Sequence, residues 1–320
     1  MSIVDLWKGY QEGVAHGVLS ETARTPDELL YVSLVALAAQ DRDAALTHLR
    51  SALAAAPERQ VLRECAHYLE RATGDADTTD VYISPDAFSA FARGGGNVGL
   101  YQRTHAALRA RYAALRPTSL LDVGTGEGLA LLPALPDTIG RVDVLEPSAP
   151  RLDVVRSELA RRGVHHRAIN TTIEDFVAAG EADPDNTWDL VQETFAMLAV
   201  PAPERVPALR WLRPLTKRVI LVEFDVPRVG HALHPDWFDY VVTRYEVGLA
   251  EYPGDHNLVR QGFLVPVFLG TLRPTEDRVH FEQPVEDWLH DLRAAGFEAA
   301  REPEFLAEYW WGDAFLIEAR

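Results

Sequence analysis

The segment Leu120-Leu121-Asp122-Val123-Gly124-Thr125-Gly126-Glu127-Gly128 constrains this chain more than any other stretch. An apolar run of strand length ends in a carboxylate, and three glycines at alternate positions lead into a helical pattern. Glycine accepts positive φ and lets main chain approach a ligand closely, so the spacing predicts a strand, a tight turn and a helix start built to hold something. A dinucleotide fingerprint would place glycines at 124, 126 and 129, but residue 129 is Leu; the spacing here is Asp-x-Gly-x-Gly-x-Gly.

From Pro117 onward the pattern alternates. Strands are predicted at Ser119–Val123, Arg141–Leu145, His166–Asn170, Trp188–Gln192, Arg218–Phe224 and Ala314–Ala319. Helices are predicted at Leu129–Leu135, Arg151–Arg162, Glu204–Leu212 and Val285–Ala295. Strands alternating with helices argue for an α/β fold with a mostly parallel sheet and right-handed crossovers. Residues 227–283 break the alternation. They hold an aromatic segment, Trp237-Phe238-Asp239-Tyr240, and a run read as a hairpin from Phe263 to Leu272 returning through Val279 to Phe281. The segment is expected to be a lid inserted over the carboxyl ends of the strands, where open α/β sheets bind ligands.

The N-terminal region is α-helical by its periodicity. Residues 1–75 are expected to form a helical cap, in which the helices between Pro26 and Pro57 resemble one tetratricopeptide-type hairpin; a solenoid would need more copies than the one found. The cap is also a candidate homodimerisation element. Residues 76–116 are read as a linker and covering helices. Ser84 is placed to cap a helix that opens at Pro85 and closes at Arg93-Gly94-Gly95-Gly96-Asn97. That glycine triplet is either a hinge or a place where backbone passes close to something. Residues 117–320 form the expected ligand-binding domain.

Composition narrows the function classes. The net charge of −17 opposes nucleic-acid backbones, so no nucleic-acid partner is expected. Cys65 is the sole cysteine, which excludes an internal disulfide or a cysteine-based zinc site, and no metal site is expected. No apolar run reaches the length of a membrane span and no signal-peptide pattern opens the chain, so a cytoplasmic protein without a membrane partner is expected.

Residues 120–128 resemble motif I of class I S-adenosylmethionine (SAM)-dependent methyltransferases, and the resemblance extends over about 200 residues. Asp143-Val144-Leu145-Glu146 ends the second strand, 18 residues beyond Gly128, and Trp188-Asp189-Leu190-Val191 and Arg218–Glu223 look like the family's fourth and fifth strands. The chain is similar to bacterial natural-product tailoring methyltransferases. The resemblance implies a Rossmann-like α/β fold, a mostly parallel seven-stranded sheet with helices on both faces, and SAM as cofactor. It implies that Asp122 and the loop of Gly124, Thr125, Gly126 and Gly128 face its methionine part, and that Glu146 grips the ribose. Ile173 and Glu174 (or Asp175) would border the adenine, and Gln192 and Glu193 would lie near the methionine or the acceptor. Arg93 or Tyr101 would meet the cofactor's carboxylate. For Glu174 and Asp175, a plain first-turn position on a helix is an equal reading.

Methyl transfer from a sulfonium needs alignment and exclusion of water, and for some acceptors a general base, most often histidine. His231 and His234 are the base candidates, with His256 behind them. A carboxylate acceptor would need no base, and Arg244 or Arg260 could orient it. Trp237, Phe238, Tyr240, Tyr245, Trp310 and Trp311 could line an acceptor pocket or simply fill the core. The base-methylating signature Asn/Asp-Pro-Pro-aromatic is absent after strand four, where Gln192-Glu193-Thr194-Phe195 stands. The expected activity is methylation of an oxygen, carboxylate or hydroxyl, on a small molecule or short peptide, in secondary metabolism. N-methylation and a non-catalytic SAM-fold scaffold are the alternatives.

Overall fold

A computed structural model describes residues 2–71, 85–180, 186–228, 230–253, 256–272 and 280–320. The chain forms two compact units: residues 98–228 with 280–320, and residues 1–97 with 229–279.

The first unit holds one seven-stranded sheet. Its strands are β1 (Ser119–Val123), β2 (Arg141–Leu145), β3 (His165–Ile169), β4 (Trp188–Thr194), β5 (Thr216–Asp225), β6 (Glu304–Ala307) and β7 (Asp313–Ala319), in the spatial order β3-β2-β1-β4-β5-β7-β6. Strands β1 to β5 pair in parallel, and β7 runs antiparallel beside β5 and β6. The order reverses between β1 and β4, which is where doubly wound sheets open a crevice at their carboxyl ends. One sheet face packs Leu121, Val123, Val191, Val219 and Leu221 against Leu209, Leu212, Trp288 and Leu292 of the helices Ala202–Leu212 and Val285–Ala294. The opposite face meets the helix Asn97–Leu115 through Tyr112, whose hydroxyl donates to Gln192. Asp189 ties the amino ends of the strands together by accepting from the Thr118 amide (2.7 Å) and hydroxyl (2.6 Å).

The expected helix Leu129–Leu135 is shorter than its pattern, only Leu131–Ala134. Pro133 donates no hydrogen bond and Pro136 follows, so the helix stops early. The edge strand β6 was not legible in advance: Glu304–Ala307 has no clear alternation and its register shifts between Phe305 and Ala307.

The second unit is helical. Its helices include Ile3–Gln11, Pro26–Ala38, Arg42–Ala55, Gln60–Arg71, Pro85–Ala92 and Pro235–Ala250. Reciprocal caps fix two of the starts: Ser2 with Asp5, and Thr25 with Glu28. The helix Pro235–Ala250 and the turn before it fold against the N-terminal helices by polar contacts that their sequence alone does not announce. Glu246 accepts from Arg59 Nε (2.7 Å) and from the amides of Gln60 (2.9 Å) and Val61 (3.2 Å), capping the helix Gln60–Arg71 from a distant element. The Tyr31 hydroxyl donates to the Leu233 carbonyl (2.8 Å).

The hairpin expected from Phe263 to Leu272 is instead helical. Residues His256–Leu264 form a π-helix and Val265–Thr271 an α-helix. Every residue of Val265–Thr271 is buried, and a run apolar on all sides is equally a buried strand or a buried helix by pattern. Pro266 in the first helical turn is the feature that favours the helix, since proline suits that position and disrupts a paired strand. The turn expected at 274–277 and the cap expected at Ser84 lie outside the described residues.

Candidate functional site

The glycine turn and the second-strand carboxylate come together as the spacing predicts. Val123 of β1 lies beside Leu145 of β2 in parallel register. The chain then bends so that the amides of Gly124 (2.8 Å) and Thr125 (3.1 Å) both donate to the Leu145 carbonyl. That pair of hydrogen bonds carries the loop across the end of β2, where Glu146 stands. Glu146 is buried, and its carboxylate accepts from the Gly126 amide at Oε2 (2.9 Å) and from the Ser148 amide at Oε1 (2.9 Å). The loop and the acidic residue are thus physically joined.

Two of the glycines are demanded by geometry. Gly124 has φ +65°, and a Cβ there would stand 2.4 Å from the Ala196 Cβ. Gly126 has φ +56°, and a Cβ there would meet no atom within 4 Å. The backbone at 126 therefore presents an open face beside the Glu146 carboxylate, a cradle that a side chain would fill.

Asp122 is buried at the end of β1, directly opposite Gln192 of β4. Gln192 bridges two groups: its amide nitrogen donates to Asp122 Oδ1 (2.9 Å), and its amide oxygen accepts from the Tyr112 hydroxyl. Burial pushes the Asp122 carboxyl up to about 6; the Gln192 hydrogen bond and the nearby Thr125 hydroxyl oppose that rise, and the Glu146 charge adds to it. Gln192, expected near the methionine or the acceptor, has both ends of its amide engaged in this bridge. Glu193 points to the other sheet face, because neighbouring strand residues alternate.

The turn after β4 carries Phe195 at φ +54°, an uncommon conformation for a residue other than glycine. Its amide donates to the Val222 carbonyl (2.8 Å), and its ring stacks on Phe224 (4.5 Å between centroids), which stacks in turn on Tyr309 (5.3 Å). Tyr101, expected over the cofactor, meets the edge of Phe195 at 6.1 Å. The aromatic wall Phe195–Phe224–Tyr309 was not singled out from sequence, since its members lie in three separate segments.

Ile173 and Glu174 open the helix Ile173–Ala179, with Thr172 as its cap. Ile173 is part of the buried core beside β1 and β4, and Glu174 is half-buried in the first turn. Arg93, His231 and His234 belong to the helical unit. Arg93 contacts Ser89 one turn back. The adjoining Gly94, Gly95 and Gly96 lie so close to Glu251 and Tyr252 that a Cβ at any of them would come within 3 Å, and the Gly96 amide donates to Glu251 (2.8 Å). That close approach to the end of the helix Pro235–Ala250 accounts for the triplet. His231 Nδ1 accepts from the Leu233 amide (3.0 Å), with the ring 4.8 Å from Trp7, and burial lowers its pKa. His234 caps the helix Pro235–Ala250 through Nδ1. The side chain of His256 lies outside the described residues.

No protein-family model matches the chain, and no curated protein matches it by sequence. Solved structures do match. A SAM-dependent methyltransferase from Leishmania major aligns over 80% of this chain and 91% of its own, with 16% identity and a TM-score of 0.51. Magnesium protoporphyrin IX methyltransferase from Synechocystis PCC 6803, with bound S-adenosylhomocysteine (SAH), covers 77% of this chain and 99% of its own at 16% identity and TM-score 0.49. The 1,6-didemethyltoxoflavin N1-methyltransferase of Burkholderia thailandensis covers 78% and 91% at 16% identity and TM-score 0.47. The chain has the fold of a SAM-dependent methyltransferase.

Proposed function

We propose that this chain binds SAM and transfers its methyl group to an oxygen of a small molecule or short peptide. One observation carries the cofactor assignment: the Gly126 amide and the Glu146 carboxylate are joined at the ends of two adjacent parallel strands. Glu146 would hold the ribose hydroxyls with lone pairs left over from its two amide partners. The open face of Gly126 would let main chain lie against the nucleoside. Asp122, held by Gln192, would face the methionine end, with Tyr101 above the Phe195 turn. Ile173 and Glu174 would border the adenine, a reading that their place at the start of a helix after β3 supports.

When bound, SAM supplies a methyl group on a sulfonium, and the reaction is an in-line displacement. The residues of this chain would then align the acceptor and exclude water. The Phe195–Phe224–Tyr309 wall favours an acceptor with an aromatic or otherwise flat apolar part. His231 and His234 are the proposed bases. Each already uses Nδ1 toward a backbone amide, so proton transfer would fall to Nε2.

Titration calorimetry with SAM and SAH tests the reading. Wild-type protein is expected to bind both. Asp122→Ala and Glu146→Ala are each expected to weaken binding about tenfold or more, roughly 1.4 kcal/mol. Wild-type affinity in both variants would remove the site assignment, and no binding by the wild type would favour a scaffold role. A methylated product that loses its methyl in mild base would identify a carboxylate acceptor; an N-methyl product would survive.

A further inference from the structure

Glu193 and Glu223 lie near the ends of β4 and β5 on the face that packs against the helices Ala202–Leu212 and Val285–Ala294, and they are only 2% and 1% exposed. One oxygen of each has a clear task. Glu193 Oε2 accepts from the amides of Ala196 and Met197 (3.1 Å each), and Glu223 Oε1 accepts from the Leu198 amide (2.8 Å). The remaining oxygens, Glu193 Oε1 and Glu223 Oε2, are buried and find no donor among the described residues. Glu193 lies opposite Leu221 of β5, so Glu223, two residues further on, shares its face, and the two buried carboxyl groups act directly on each other. Two carboxylates are acceptors only, so a hydrogen bond between them requires a shared proton.

We propose that Glu193 and Glu223 share one proton at neutral pH, and that this linked pair is a positioning device for the turn 194–198. The turn is the one that carries Phe195 in its left-handed conformation and sets Ala196 against Gly124. Three of its amides, those of Ala196, Met197 and Leu198, are held by the pair. Loss of the shared proton leaves two buried like charges on neighbouring strands, and the turn they hold must loosen to admit water.

The surroundings agree with this. Burial is the largest influence on both groups, pushing Glu193 up to about 7 and Glu223 well above the ordinary carboxylate range. Asp122 on β1 adds to the rise at Glu193, and Glu193 to that at Glu223. Arg205 acts on Glu223 in the opposite sense, but its hydrogen bonds go to the carbonyls of Met197, Val200 and Phe281. Glu282 and Asp291 also face Arg205 and dilute its effect on the pair. Because the folded-state values are raised, the pair's contribution to stability is whole below the ordinary carboxylate value of 4.5 and is lost as pH climbs through about 7 and beyond.

The consequence for the cofactor rests on the methyltransferase reading; the proton does not. Infrared spectra of wild type and Glu223→Gln are compared from pH 5 to 9. The carbonyl stretch of a protonated carboxyl should be present in wild type at pH 7 and reduced in the variant, beyond any contribution of Asp122 common to both. SAH affinity of the wild type should fall about fivefold or more between about pH 7 and 9, whereas Glu223→Gln, whose amide donates to Glu193 at every pH, should vary by less than about twofold. Glu193→Gln should flatten the profile similarly, since its amide can donate to Glu223. Identical infrared spectra, or a wild-type pH profile in both variants, overturns the proposal. If the wild type binds no SAH at any pH, the methyltransferase reading fails. The infrared band and the pH dependence of thermal unfolding then decide the shared proton by themselves.

Discussion

Gly124 shows how a single position couples two strands. Its φ of +65° alone would make any other residue costly, and the Ala196 methyl occupies the place where a Cβ would go. Gly124→Ala is therefore expected to lower unfolding free energy by about 1–3 kcal/mol, read by denaturant titration, and to weaken SAH binding through displacement of the 124–128 loop. Full stability would mean that the turn after β4 moves away at little cost. Glu146 is different in kind. Its two amide bonds fix the carboxylate before any ligand arrives, so Glu146→Ala should lose more affinity than stability. The acidic strand ends at 122 and 146 were visible as letters in the sequence. The partners that orient them, Tyr112 and Gln192 for Asp122 and the Ser148 amide for Glu146, were not. Such partnerships depend on which strand lies beside which.

At the scale of elements, strands were legible where they alternate with helical patterns and are bounded by turn residues. β1 and β2 fall on their expected residues, and β3, β4 and β5 shift by only one or two positions at their ends. Legibility failed where one pattern fits two structures. Val265–Thr271 is apolar on every side and resolves as a helix because it is surrounded, a condition that its neighbours impose. The helix Gln60–Arg71 poses a separate question, because a glutamate from another element holds its first amides. Glu246→Ala should leave those amides and Arg59 without their acceptor and cost about 1–3 kcal/mol. Hydrogen exchange would show the loss first at residues 60–63, and unchanged exchange there would assign no capping role to Glu246.

At the scale of the whole molecule, a net charge of −17 sets a repulsive background against which both units fold. Raising ionic strength from about 0.02 M to about 0.5 M should raise the thermal midpoint by a few degrees through screening. A midpoint that falls instead would show that ion pairs such as Arg59–Glu246 and Arg260–Glu64 outweigh the net repulsion. Among the described residues, no helix is long and apolar enough to cross a membrane.

Local physical chemistry in the chain was enough to determine the sheet's parallel strands, the glycine turn after β1 and the carboxylate one strand over. Hydrophobic period, glycine conformation and crossover length act within a few tens of residues. The tertiary structure alone decided that the described residues of 230–272 pack with the N-terminal helices, that Phe195, Phe224 and Tyr309 form one stack, and that Glu193 and Glu223 are buried on one face of adjacent strands. Each of these joins residues distant in sequence, and such contacts follow from the way buried faces are shared between elements, which no short stretch of chain encodes.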